Sequence, residues 1–150
     1  MKAITLTQPW ATLVAIGAKR IETRSWPTKF RGPLAIHAAK GWTKDVVKLF
    51  FSEPFRHVLG EAGYTLFSLL PRGAILATCT LIDCVPTNKM IGLDFLESAF
   101  GDFASGRFAW LLKDIEQLRE PLPARGALGL WEYGGVVDSG DVQPIRGAVQ

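Results

Sequence analysis

The order of apolar and polar positions predicts short strands and helices that follow one another irregularly. The first part of the chain contains, in order, a strand at 3–7, a helix at 10–16, and strands at 21–26 and 34–38. Pro9 suits the first turn of that helix because its missing N–H would have no partner there. Gly17 suits the left-handed position at which a helix ends. Both boundaries of the first helix are therefore marked in the sequence.

The rest of the chain has one dominant strand, residues 74–85. This run contains Ile, Thr and Val and is too long for a short edge strand, so we expect a central strand. Thr43 can cap a helix over 45–50, and weaker helical signals continue to about residue 70. The remaining predicted elements are a helix at 93–100 and strands at 107–112 and 129–133, with a break at Pro121-Leu122-Pro123 between these two strands.

The uneven spacing of these elements predicts an α+β fold. A regular alternation of strands and long helices would indicate a doubly wound sheet, and it is absent from this sequence. A small mixed β-barrel with peripheral helices fits better, because curling a sheet protects its edges. The 150 residues suffice for one domain, with residues 134–150 as a C-terminal extension that is either an ordered fringe or a frayed tail.

Composition is that of a globular chain, with 48% hydrophobic and 21% charged residues. No apolar run is long enough for a membrane span or a signal peptide, so we expect a cytoplasmic protein. Cys79 and Cys84 are too few for a disulfide framework and read as small buried residues. Neither His37 nor His57 has neighbours at metal-ligand spacing, and no phosphate-binding loop motif occurs, so no metal ion or cofactor is expected.

Charge is distributed unequally along the chain. Residues 1–60 hold ten Lys and Arg against three acids, a net charge of +7, whereas residues 61–150 hold seven against eleven, a net charge of −4. If the fold keeps these cations together, they favour an anionic partner. Ordinary solvated surface charge is the alternative.

The strand at 21–26 carries the candidate chemistry. Side chains alternate along a strand, so Glu22, Arg24 and Trp26 are predicted to share one face. Lys19, in the turn before this strand, is expected to be exposed and able to reach a ligand. A Glu22–Arg24 ion pair that merely supports the sheet, and a surface lysine, are the structural alternatives.

Aromatic residues are interleaved with cations in this region. Cations hold phosphates and aromatic rings stack on unpaired bases, a combination that favours single-stranded nucleic acid or a nucleotide. At least half of the five tryptophans are nevertheless expected to be mainly buried. The predicted binding set is Lys19, Arg24, Ser25, Trp26, Arg31, Lys40 and Trp10, with Trp42 as a further stacking candidate.

Several ordered motifs resemble the ASCH domain, a member of the PUA-like superfamily. The segment 6–13 resembles the family's opening, and Gly17-x-Lys19-x-x-Glu22-x-Arg24 matches its signature spacing. The segments 31–40 and 73–84, together with Phe108-Ala109-Trp110 and Gly129-Leu130-Trp131-Glu132, resemble later family motifs. The match covers roughly residues 3–133, the core of the predicted single domain.

This resemblance implies a β-barrel with a cleft, lined by the signature residues, that binds RNA or another nucleic acid. Some small relatives are amidohydrolases that use a lysine and a threonine at the positions of Lys19 and Glu22. A carboxylate cannot replace that hydroxyl nucleophile, so this activity does not transfer. If the chain is an enzyme, a hydrolase on RNA or a modified nucleoside, Lys19 would be its base and Glu22 the acid or the group that orients a water. A third reading is a protein-interaction domain in which these residues only brace the barrel.

Overall fold

Six strands form one mixed sheet in the computed structural model, which describes residues 1–144. The strands are β1 (Lys2–Leu6), β2 (Ile21–Arg24), β3 (Gly32–Ala38), β4 (Ala74–Pro86), β5 (Phe108–Pro123) and β6 (Leu130–Glu132). Their order across the sheet is β2-β5-β4-β3-β1-β6. β1 and β3 are parallel, and every other adjacent pair is antiparallel. The run predicted to be a central strand, β4, lies between β5 and β3.

Short helices surround this sheet: α1 (Trp10–Ala15), α2 (Lys44–Phe50), α3 (Phe55–Glu61) and α4 (Phe95–Phe100). The predicted caps are confirmed. Thr43 Oγ1 accepts a hydrogen bond from Val46 N, 3.4 Å away, at the start of α2. Gly17, just after α1, has a φ of +80°, which a residue with a Cβ adopts only at a cost. The weak helical signal beyond α2 corresponds to α3 and to a 3₁₀ turn at Phe67–Leu69.

The core consists of two large apolar clusters. The first joins α1 to the inner face of β1, β3, β4 and β5 and contains the fully buried Trp110. The second lies among the helices and includes Leu13, Phe50 and Phe100. Each such side chain contributes roughly 1.5–3 kcal/mol by leaving water. Trp10, Trp26 and Trp131 pack partly buried against these and a smaller cluster, so most tryptophans are mainly buried as expected.

The prediction of a break at residues 121–123 was wrong. β5 is one strand of 16 residues, and it runs through this segment, where Ile75 pairs with Leu122 and Ala74 with Pro123. β2 pairs with β5 only up to Leu111, and a bridge from Val142 contacts it at Leu118, so within residues 1–144 no strand pairs with this side of β5 at Pro121 and Pro123. Proline is tolerated in a strand where its missing N–H would face no partner.

The sheet curls until its first edge approaches β1. Arg24 Nη2, on β2, donates a hydrogen bond of 2.7 Å to Thr5 O on β1. β6 pairs with β1 only as far as Ile4, which leaves the carbonyl of Thr5 available to Arg24. The predicted α+β class with a curled mixed sheet is confirmed, in the form of a half-barrel with β2 and β6 as edge strands.

The C-terminal segment lies alongside β5 and pairs with it. Gln143 N donates a hydrogen bond of 2.7 Å to Gln117 O, and Val142 forms a β-bridge with Leu118. Val142 and Gln143 of the predicted extension thus pair with β5, whereas residues 145–150 lie outside the described residues. Within residues 1–144, no helix has both the length and the apolar character needed to cross a bilayer.

Candidate functional site

A cavity of about 440 Å³ opens at the seam between β1 and β2. Its walls come from the end of β1, from β2 and the residues that follow it, from the end of α4, and from single side chains of the helical layer. Its size lies within the range of small-ligand pockets, roughly 300–1,000 Å³. Five predicted site residues line it: Trp10, Glu22, Arg24, Ser25 and Trp26.

Glu22 and Arg24 provide a paired acceptor and donor in this cavity. Arg24 Nη2 lies 3.5 Å from Glu22 Oε2, and the two side chains are 25% and 13% exposed. The other carboxylate oxygen, Oε1, accepts a hydrogen bond of 3.1 Å from Thr23 N. A carboxylate offers about four acceptor positions, so Glu22 keeps capacity for a ligand. The predicted ion pair exists, and it lines a cavity.

Lys19 is not exposed, contrary to expectation. Its ammonium group is buried beneath Glu22, with Nζ 3.7 Å from Glu22 Oε1. Nζ donates hydrogen bonds to Ile21 O at 2.5 Å and to Phe100 O at 3.1 Å. These contacts join the start of β2 to the end of α4 and hold the carboxylate in place. The turn after α1 is tucked inward because Lys19 N also bonds back to Leu13 O.

Burial governs the ionisation of the groups behind the cavity. Desolvation lowers the pKa of Lys19, although the carboxylates of Glu22 and Glu97 oppose this effect. Burial likewise raises the pKa of Glu97 above its ordinary value. Glu97 Oε1 accepts a hydrogen bond of 2.6 Å from Arg20 N, whereas Oε2 is buried and has no partner among the described residues. Ionisation of Glu97 therefore lowers the stability of the folded state.

This cost makes stability depend on pH in a defined direction. A carboxyl whose folded pKa is raised stabilises the fold at low pH, and this contribution is lost as the pH rises through the folded pKa. We therefore expect wild type to lose stability relative to Glu97→Gln as the pH increases from the ordinary value of 4.5 towards neutrality. Urea unfolding of both proteins across this range measures the difference. The Glu120→Gln variant, which removes an exposed carboxyl, is the control, and a drift of opposite sign for Glu97→Gln would contradict the assignment.

Two tryptophans stand at the cavity with their orientation fixed by neighbouring rings. Trp10 meets Phe55 edge to face, at 6.4 Å between centroids, and Trp26 meets Trp110 in the same way at 4.8 Å. Trp110 Nε1 also donates a hydrogen bond of 3.3 Å to Trp26 O. Because their packing partners are in the core, both rings are positioned before any ligand arrives.

Arg107 and Asp102 complete the polar lining and were not predicted. Arg107 Nη2 donates to Thr23 O at 3.2 Å, and Arg107 Nε lies 3.5 Å from Asp102 Oδ2. Asp102 N donates to Thr23 Oγ1 at 3.0 Å. Both residues lie about eighty positions along the chain from β2, a separation that their hydrogen bonds span. No local motif marks them, because only the pairing of β2 with β5 brings them to the cavity.

The cavity is not the basic cleft that was expected. Its charged lining residues are two acids, Glu22 and Asp102, and two arginines, Arg24 and Arg107. Arg31 lies apart, in an exposed ion pair of 3.3 Å with Asp83. Lys40 lines a different cavity, described below. The cations of the first sixty residues therefore do not converge on the signature residues. Within residues 1–144, no three His, Cys, Asp or Glu side chains are grouped as metal ligands.

Comparison with known proteins identifies the family to which this chain belongs. Activating signal cointegrator 1 of Mus musculus is 26% identical over 140 residues and that of Homo sapiens 27% identical over 142, each match covering 91% of this chain and 23% of the relative. The crystal structure of ASCH from Zymomonas mobilis gives a TM-score of 0.44 at 15% identity, over 81% of this chain and 72% of that chain. A family model for the ASCH domain matches residues 4–121, which is most of the chain. The chain therefore belongs to the ASCH domain family.

Proposed function

We propose that this domain binds single-stranded nucleic acid or a nucleotide by accepting one base in the cavity between β1 and β2. The observation that carries the proposal is the Glu22–Arg24 pair, a carboxylate and a guanidinium 3.5 Å apart inside a cavity flanked by Trp10 and Trp26. Every nucleobase presents hydrogen-bond donors and acceptors along one edge and an aromatic face perpendicular to it. The cavity offers complementary groups to both.

The charge balance of the lining supports a base rather than a phosphate as the buried part of the ligand. Two acids face two arginines there, so the lining has no net formal charge. For a phosphate, the carboxylates of Glu22 and Asp102 would offset the attraction of the two arginines. A neutral heterocycle can instead accept from Arg24 and donate to Glu22, in the manner of side chains that read base edges. The family resemblance implies the same class of ligand.

The aromatic walls supply affinity without sequence selectivity. Stacking of a base on an aromatic side chain contributes roughly 1–3 kcal/mol, and it works for any base. Trp10 and Trp26 are held by Phe55 and Trp110, so little side-chain entropy is lost when a base stacks on them. Recognition of one base among four would then come from the polar pair.

Removal of the carboxylate charge should weaken binding. We expect Glu22→Gln to lower the affinity for the preferred nucleoside monophosphate by about 10-fold or more, because a good base-edge pair is worth roughly 1–3 kcal/mol. Calorimetric titration with each of the four common ribonucleotides measures the effect. The exposed Glu120→Gln variant removes the same charge outside the cavity and should bind as wild type does. Absence of binding for all four ligands, or equal affinities of Glu22→Gln and wild type, would overturn the proposal.

Hydrolysis of RNA or a modified nucleoside is the alternative, and one observation favours it. Burial lowers the pKa of Lys19 beside the carboxylate of Glu22, as a general base requires. However, three acceptors surround Nζ, and Nζ can donate to all three only as an ammonium, whose nitrogen has no lone pair to accept a proton. Incubation of concentrated protein with labelled RNA and acylated nucleosides tests this alternative. Product that wild type forms and Glu22→Gln does not form would support hydrolysis. Substrates left unchanged by wild type would eliminate it.

A further inference from the structure

A second cavity, of about 940 Å³, lies on the other side of the end of β1. Thr5 lines both cavities, so the two are adjacent. Three cations line the second one, Lys40, Arg72 and Arg125, and no acidic side chain does so within the described chain. Its charge contrasts with the balanced lining of the first cavity.

These cations are available to a ligand. Within residues 1–144, none of the three forms an ion pair. Arg72 is held in position, since Nη1 donates to Lys40 O at 3.2 Å and the guanidinium carbon lies 5.8 Å from the centre of the Trp42 ring. Trp42 is half exposed beside it. A cation close to an exposed aromatic ring is a combination used by surfaces that bind single strands.

The loop that carries Arg125 is fixed against the sheet. Buried His37 contacts Ala124 O through Nε2 at 2.7 Å and Thr5 Oγ1 through Nδ1 at 3.1 Å. Trp131 Nε1 donates to the same hydroxyl at 3.0 Å. A Cβ on Gly126 would lie 2.6 Å from the His37 ring, so glycine is needed for this approach. The cavity therefore has an ordered floor.

We propose that this second cavity binds the phosphodiester backbone of a single-stranded nucleic acid whose base occupies the first cavity. The inference rests on the proposed function for the placement of the base. Phosphates need cations without competing carboxylates, and this cavity provides them where the first does not. Because Thr5 lines both cavities, a strand that places a base in one can continue past the other. The domain thereby divides recognition between a base pocket and a backbone site.

The test compares an oligonucleotide with a mononucleotide. The variant Lys40→Gln/Arg72→Gln/Arg125→Gln removes the cavity's three charges, and the matched control Lys48→Gln/Lys89→Gln/Lys113→Gln removes three exposed charges elsewhere. We expect the cavity variant to bind a single strand of about eight nucleotides at least about 10-fold more weakly than wild type at about 50 mM salt. The slope of log affinity against log salt concentration should become shallower by about 2, because each of the three lost phosphate contacts accounts for about 0.7 of that slope. Affinity for a nucleoside monophosphate should fall much less, because this ligand carries a single phosphate.

Each result decides between the two sites. If the control variant loses as much oligonucleotide affinity as the cavity variant, the second site is wrong, and the same holds if neither loses any. If mononucleotides do not bind while the oligonucleotide still requires the three cations, the base pocket fails and the backbone site stands. Thermal unfolding shows whether the triple variant folds. The single Arg125→Glu variant, at an exposed loop position, repeats the test with reversed charge and should lower oligonucleotide affinity at least about 5-fold.

Discussion

Replacement of Lys19 with methionine is expected to lower the free energy of unfolding by about 3–5 kcal/mol, the usual cost of removing one partner from a buried ion pair. The apolar stem is largely kept, whereas the ammonium group and its charge are removed. Glu22 would keep Arg24 as a partner but lose the buried cation beneath it, and the carbonyls of Ile21 and Phe100 would lose their donor. Each buried polar group left without a partner adds about 1–3 kcal/mol to the cost of folding.

Urea unfolding of the variant measures this loss, with the exposed Lys113→Met as control. The double variant Lys19→Met/Glu22→Met should recover part of the stability, because it also removes the carboxylate that Lys19 had faced, although Arg24 then loses its partner. A loss below about 1 kcal/mol for Lys19→Met would contradict the role of Lys19 as a buried brace. Recovery in the double variant separates the charge effect from the effect on the two carbonyls.

Replacement of Arg24 with methionine is expected to weaken nucleotide binding by about 100-fold. The guanidinium performs two tasks: it is a donor in the cavity, and it joins β2 to β1 through Thr5 O. A hydrogen bond to a charged group is worth about 1.5–3 kcal/mol, and the base and Thr5 both lose one in the variant. The seam that shapes the cavity would loosen at the same time. Stability should therefore fall as well, by about 2 kcal/mol.

Arg24→Lys is the informative companion. It keeps the charge beside Glu22, but an ammonium has no planar array of donors that can reach both Thr5 O and a base. We expect it to restore most of the stability and little of the affinity, when unfolding and calorimetric titration are measured on the same samples. If Arg24→Lys binds the nucleotide as tightly as wild type, only the positive charge matters. If Arg24→Met binds it as tightly as wild type, Arg24 does not contact the ligand.

Local signals located most elements because they act over a few residues. Thr43 can cap a helix only at its start, and Gly17 allows the left-handed turn that ends α1. Local signals gave a wrong prediction for β5, because Pro121 and Pro123 are typical of a break in a strand. In the structure they lie in β5 on the side where β2 does not pair with it. Whether a proline interrupts a strand depends on a neighbour that the local sequence does not contain.

The candidate site was predictable in its centre and not in its surroundings. Alternation along a strand was enough to place Glu22 and Arg24 together. It could not show that Lys19 is buried, because that depends on the end of α4, eighty residues away. For the same reason Arg107 and Asp102 were missed, and Lys40 was assigned to the wrong cavity.

The amino-acid sequence by itself determined the α+β class and the Glu22–Arg24 pair, which follow from the spacing of elements and the alternation along a strand, and its ordered motifs carried the family resemblance. Only the tertiary structure decided that the lining of the first cavity is balanced in charge and that three cations, without ion pairs among residues 1–144, line a second one. Charge along a chain is one-dimensional, whereas the field at a site sums over all side chains that folding brings near it.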